Sequence, residues 1–141
     1  LLSEKPIVLL DGAHNPNGIE ALKSAIQKFL PNKYIIAITG MLADKDVSTS
    51  VKLLDGVFDR VYTVPVHNPR AMLPAKLMQQ YARFVDDTVT FESAEHAFDM
   101  AFEQAEKTDC AVVICGSLYL AGEIRPYIIN KIKAENESAE K

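Results

Sequence analysis

No apolar run in this 141-residue sequence approaches the roughly 18 residues that a membrane helix needs, so no membrane partner is expected. Basic charge is not in excess. Fifteen Lys and Arg against nineteen Asp and Glu leave a net charge of −4, too acidic for a protein that grips the phosphate backbone of nucleic acid. Cysteine is scarce, and the two present lie in one apolar run, at Cys110 and Cys115. On a strand their Cα atoms would stand about 16 Å apart and face opposite ways, whereas a disulfide needs less than about 7 Å. They read as small buried hydrophobes. There is no CxxC or HExxH spacing, so no metal ligands are expected. The first residues, Leu1-Leu2-Ser3-Glu4-Lys5, lack the basic-then-apolar layout of a secretory signal, and a cytoplasmic setting is expected. What is present is ordinary for a globular domain: 48% apolar and 24% charged residues, with enough chain to bury a core unaided.

Apolar runs alternate with helix-period segments. Strands are predicted at Ile7–Leu10, Tyr34–Ile38, Arg60–Val64, Thr88–Phe91 and Ala111–Cys115. The first, second and fifth are apolar on both alternations, as strands covered on both faces should be. Pro65 ends the third or places it near an edge. Between them, Ile19, Leu22, Ile26, Phe29 and Leu30 form an amphipathic stripe stopped by Pro31-Asn32. Val47, Val51 and Leu54 mark a shorter helix after Asp46, and Leu73, Leu77, Tyr81 and Phe84 another that opens near Pro74. Ser93 is a suitable N-cap for a helix carrying Ala94, Ala97, Phe98, Ala101, Phe102 and Ala105. The last helix carries Leu118, Ala121, Ile124, Ile128 and Ile132, with Pro126 expected to kink or restart it. From Ala134 to Lys141 the chain is polar and is expected to fray. The pattern predicts an α/β fold with a mostly parallel sheet and helices on both faces, a three-layer sandwich. Ligands of such sheets collect at the carboxyl ends of the strands, in the loops at residues 11–16, 39–46, 65–71 and 115–119.

Those loops carry polar groups beyond what turns require. Asn15 can cap the first helix and Pro16 is pre-set for its first position. Neither role explains Asp11, placed to accept hydrogen bonds from ligand hydroxyls, or His14, placed to meet an anion. Lys45, between Asp44 and Asp46, and Arg70, in His67-Asn68-Pro69-Arg70, are equally at home on a solvated surface or on a carboxylate. Ser117 can cap the last helix while offering a hydroxyl and backbone N–H groups to an anion. No strand is followed by GxGxxG, and Gly40 to Asp46 lacks the second glycine and the Ser or Thr of a P-loop.

The segment Asp11-Gly12-Ala13-His14-Asn15-Pro16-Asn17-Gly18 resembles the signature of folylpolyglutamate synthases and dihydrofolate synthases, within the Mur ligase superfamily. Gly40-Met41-Leu42-Ala43-Asp44-Lys45-Asp46 and Gly116-Ser117-Leu118-Tyr119-Leu120-Ala121-Gly122-Glu123-Ile124-Arg125 resemble the same family in the same order. The resemblance covers about residues 6 to 130. It implies that residues 1–133 form the Rossmann-like, glutamate-binding C-terminal domain, that 134–141 are a polar tail, and that an N-terminal ATPase domain lies outside this chain. The start at Leu1, without Met, suits a fragment cut at a domain boundary.

The activity implied is ATP-dependent amide formation, joining L-glutamate to dihydropteroate or a folate through an acyl phosphate. ATP and Mg2+ would be held mainly by the N-terminal domain, and the isolated chain would be inactive. By resemblance Asp11, His14 and Asn15 belong to the nucleotide side, with His14 also catalytic. Lys45, Arg70, Ser117 and Tyr119 belong to the glutamate side. At Arg70 the sequence departs from relatives that read the amino acid with an Asn-Pro-Arg segment, having His67 where they have Asp. Other readings are another Mur-type amino-acid ligase and a non-catalytic binding module of the same fold. A nicotinamide oxidoreductase lacks its glycine-rich turn, and a phosphorylated receiver domain lacks its paired acids. The ligase reading requires Asp11, His14, Lys45 and Ser117 to share one rim.

Overall fold

The structure, a computed structural model, describes residues 1–44 and 46–140, with side chains to Ser138. Six strands form one sheet: β1 (Ser3–Glu4), β2 (Ile7–Leu10), β3 (Tyr34–Thr39), β4 (Arg60–Thr63), β5 (Asp87–Thr90) and β6 (Cys110–Cys115). The helices are α1 (Pro16–Phe29), α2 (Val47–Leu53), α3 (Pro74–Tyr81), α4 (Ala94–Lys107) and α5 (Leu118–Glu140). Strand order is β1-β2-β6-β3-β4-β5, parallel except for β1, which pairs antiparallel with β2. β1 was not predicted, since two residues carry no periodicity.

Connection handedness explains the layers. From β2 through α1, α2 and α3 the chain steps along the sheet in one direction, and right-handed crossovers put those helices on one face. From β5 it turns back and inserts β6 between β2 and β3, so α4 falls on the other face, where α5 joins it. Ile19, Leu22, Val51, Leu77 and Tyr81 accordingly pack with Ile35, Ala37 and Val113 on the first face. Phe98, Phe102, Ile124 and Ile128 pack with Ile36, Ile38, Val112 and Ile114 on the second. Each large apolar side chain buried in this way contributes about 1.5–3 kcal/mol. Cys110 and Cys115 are free and buried, one in each cluster, as their odd separation along β6 requires.

The predicted caps are in place. Asn15 Oδ1 accepts from the Gly18 N–H at 2.9 Å, and Ser93 Oγ from the His96 N–H at 3.1 Å. At Pro126 the expectation of a restart does not hold, because α5 runs without interruption from Leu118 to Glu140. Proline removes one N–H and crowds the carbonyl four residues back. That carbonyl belongs to Gly122, an exposed residue, while Ile124 and Ile128 on either side of the proline are fully buried and hold the helix to the sheet. Nor does the polar tail fray into coil: residues 134–138 are helical with exposed side chains, continuing α5 past its last apolar position. Among the described residues no helix is long and apolar enough to cross a membrane.

A polar cluster on Asp99 joins the two helices of the second face. The Tyr127 hydroxyl donates to both Asp99 carboxylate oxygens at 2.7 and 2.8 Å, and Lys131 Nζ lies 3.4 Å from Asp99 Oδ1. The bond to Asp99, with some desolvation, pushes the Tyr127 phenol up to about 12 from its ordinary 10. Tyr127→Phe is expected to cost about 1 kcal/mol at neutral pH, the low end for a charged acceptor because the pair is partly exposed. Because the folded pKa lies above the unfolded one, this contribution is whole below pH 10 and fades as pH rises through about 12. Urea midpoints of both proteins at pH 8 and pH 12 check it: the gap should close at the higher pH.

Candidate functional site

All the loops singled out in the sequence lie at the carboxyl end of the sheet, following β2, β6, β3 and β4, which are neighbours. Their backbones are sewn together. The Asp11 N–H donates to Ile114 O at 2.9 Å, and the Gly116 N–H to Ala13 O at 2.9 Å, joining the loops after β2 and β6. On the other side Leu42 and Ala71 form an antiparallel bridge, flanked by Ala43 N–H to Arg70 O at 2.7 Å and Met72 N–H to Met41 O at 2.8 Å. The loops after β3 and β4 thereby become one unit. Gly116 sits at the junction with φ +108°, its missing side chain leaving room for Thr39 and the Gly40 carbonyl.

A cavity of about 300 Å3 opens between these loops, lined by His14, Asp44, Arg70, Ser117 and Tyr119 among others. Four predicted site residues therefore meet: His14 from the loop after β2, Arg70 from the loop after β4, and Ser117 and Tyr119 from the start of α5. Asp11 and Asn15 occupy the same loop as His14 but do not line the cavity. Asp11 Oδ1 accepts from the Ala13 N–H at 2.8 Å, and Asn15 is occupied in capping α1. Lys45 lies outside the described residues; its neighbour Asp44 is on the cavity wall.

The polar groups have defined directions. His14 Nδ1 stands 3.0 Å from the Gly12 carbonyl. A carbonyl can only accept, so Nδ1 is the donor, and in the neutral imidazole the lone pair sits on Nε2. Ser117 is 2% exposed, and its Oγ accepts from the N–H groups of Tyr119 and Leu120 at 3.0 and 3.2 Å. Both bonds use oxygen lone pairs, so the hydroxyl proton remains free to donate. With the positive end of the 23-residue α5 behind it, this corner suits a carboxylate or phosphate oxygen. Arg70 is exposed, and its backbone is held by a turn in which the Arg70 N–H donates to Asn68 Oδ1 at 2.9 Å. The guanidinium can thus present a fork to an anion.

Neighbouring groups bound the chemistry. Cys115 immediately precedes the Gly116-Ser117 turn, but complete burial pushes its thiol up to about 12, so it is not a nucleophile at neutral pH. Among the described residues no three His, Cys, Asp or Glu side chains cluster so as to hold a metal ion. This donor set does not fit Mg2+. A larger depression, about 660 Å3, lies at the opposite end of the sheet, where Lys33 Nζ meets Asp109 at 2.6 Å. Sequence reasoning missed the Leu42–Ala71 bridge and a contact of Glu123 with the loop after β4, described below; no local pattern announces either.

A mostly parallel, Rossmann-like sheet with helices on both faces and a polar cavity at its carboxyl ends defines the class, an α/β domain of three layers. The family model of the Mur ligase glutamate ligase domain matches residues 1–118, and the chain belongs to that family. It is 30% identical over 128 residues to a dihydrofolate synthase/folylpolyglutamate synthase of Escherichia coli (strain K12), covering 91% of this chain and 29% of that protein. To a folylpolyglutamate synthase of Lacticaseibacillus casei it is 34% identical over 129 residues, covering 91% of this chain and 28% of that protein. Folylpolyglutamate synthase of Mycobacterium tuberculosis, solved with ADP and AMPPCP, superposes with a TM-score of 0.82 at 28% identity over 89% of this chain and 30% of that one. The chain thus spans less than a third of the length of these relatives.

Proposed function

We propose that this chain is the amino-acid-binding domain of a cytoplasmic, ATP-dependent ligase that joins L-glutamate to dihydropteroate or a folate. The observation that carries the reading is the single cavity shared by His14, Arg70, Ser117 and Tyr119, in a chain of the glutamate ligase domain family. In this reaction the γ-phosphoryl group of ATP passes to the carboxylate of the pterin substrate. The glutamate amine attacks the acyl carbon, a C–N bond forms, and the C–O bond to phosphate breaks. ADP, phosphate and a proton are released.

This chain's part is to bind and orient glutamate and to accept a proton. Arg70 and Lys45 provide cations for a dianionic amino acid, and the Ser117 hydroxyl at the start of α5 donates to one of its carboxylates. Tyr119 walls the same pocket. His14 Nε2 takes the proton that the glutamate ammonium must lose before it can attack. Asp11, with one carboxylate oxygen tied to the Ala13 N–H, keeps the other for the nucleotide ribose, and Asn15 shapes the turn beside it. The phosphates and Mg2+ are assigned to an N-terminal ATPase domain of the intact protein, since this sequence has no phosphate loop.

The test is kinetic, in the full-length protein. Arg70→Ala and Lys45→Ala should each raise KM for glutamate about tenfold while KM for ATP changes less than about twofold. Asp11→Ala should shift the ATP parameter instead. Equal and small effects on both substrates would leave these residues as surface polar groups and defeat the reading. The isolated 141-residue chain should show no folate-dependent ATP hydrolysis in a phosphate-release assay.

A further inference from the structure

The loop between β4 and α3 carries Arg70 and has no regular structure of its own apart from its bridge to the loop after β3. That bridge ties it on one flank. On the other flank Val66 is buried in the same apolar cluster as Leu120 and Ile124 of α5, and beyond it, among the described residues, one hydrogen-bonding side chain reaches the loop from α5: both carboxylate oxygens of Glu123 accept from the His67 N–H, at 3.1 and 3.4 Å. The Glu123 side chain is 30% exposed, and the His67 imidazole, at 3.6 Å from it, is 85% exposed. The partner that counts is therefore the backbone amide, which every non-proline residue at position 67 would supply. The clamp does not depend on the identity of residue 67.

We infer that Glu123 is a positioning residue for the amino-acid subsite, holding the Arg70 loop against the helix whose first turn carries Ser117 and Tyr119. This rests on the glutamate-binding reading above. Glu123 lies within the same helix as Ser117, so a single rigid element sets one wall of the cavity directly and the other through this clamp. Without it the loop keeps its bridge to the loop after β3 and the burial of Val66, but the stretch from His67 to Arg70 loses its polar tie to α5, and the Arg70 guanidinium is no longer held towards the carboxylate that Ser117 binds.

Glu123→Ala in the full-length protein should raise KM for glutamate about tenfold, with KM for ATP and kcat within about twofold. Glu123→Gln keeps an oxygen acceptor for the amide and should stay within about threefold of the parent. His67→Ala should be nearly silent, because the backbone N–H remains. In the 141-residue chain, which contains both apolar clusters, the His67 amide should exchange faster with solvent in Glu123→Ala than in Glu123→Gln, by a larger factor than the amides of β3 and β6 do. If Arg70→Ala raises KM for glutamate and Glu123→Ala does not, the clamp plays no part in the site and the inference falls alone. If neither variant moves it, the glutamate reading falls and takes the inference with it.

Discussion

Gly116→Ala should unfold this domain more readily than any other single-methyl addition at the site, lowering stability by about 3 kcal/mol or more. Two effects add. The residue sits at φ +108°, a conformation that side chains rarely adopt. An added Cβ would also lie 2.6 Å from Thr39 Oγ1 and 2.8 Å from the Gly40 carbonyl oxygen. Neither neighbour can step aside. Thr39 ends the central strand β3 and is fully buried, and the Gly40 carbonyl is backbone at the same rim. The strain would break the Gly116 N–H bond to Ala13 that joins the loops after β6 and β2, so site geometry and stability should fail together. Gly12→Ala is the comparison. There the Cβ would meet Leu118 Cδ2 at 2.5 Å, but Leu118 is 61% exposed and free to rotate, so a cost of less than about 1 kcal/mol is expected. Urea unfolding of the three proteins gives the order directly, provided m is unchanged.

His14→Asn in the full-length protein is expected to reduce kcat about a hundredfold with a smaller change in either KM. The choice of asparagine isolates the chemistry. Its side-chain amide can still donate to the Gly12 carbonyl, as Nδ1 does at 3.0 Å, so the loop should keep its shape. What disappears is the lone pair on Nε2. His14 is exposed and contributes nothing to either apolar cluster, so the unfolding midpoint should not move. A variant with undiminished kcat would show that the imidazole takes no proton in the reaction. A variant with raised KM for glutamate and normal kcat would make it a binding group only.

Ser117 and Asn15 were legible because capping is local: a side-chain oxygen reaches an N–H two or three residues on, at 3.0 and 2.9 Å here. β3 and β6 were equally legible, since strands covered on both faces read as near-continuous apolar runs, Ile35 to Ile38 in one and Cys110 to Cys115 in the other. At Pro126 the sequence shows a proline inside a helical pattern, whereas α5 continues through it, an outcome set by the packing of Ile124 and Ile128 on either side of the proline. The short β1 has too few residues for any pattern to register.

The sequence by itself determined five of the six strands, the five helices, the caps at Asn15, Ser93 and Ser117, the two-sided burial of the central strands, and the loops in which polar groups would gather. All of these follow from interactions spanning a few residues or from the periodicity of one element. Only the tertiary structure decided that β6 enters between β2 and β3, and this pairing brings Ser117 beside His14. It also decided that Arg70 faces them across a bridge between Leu42 and Ala71, and that Glu123 grips the far side of that loop. Strand pairing and loop contact depend on which distant surfaces bury one another best, a competition over the whole chain that no local pattern records.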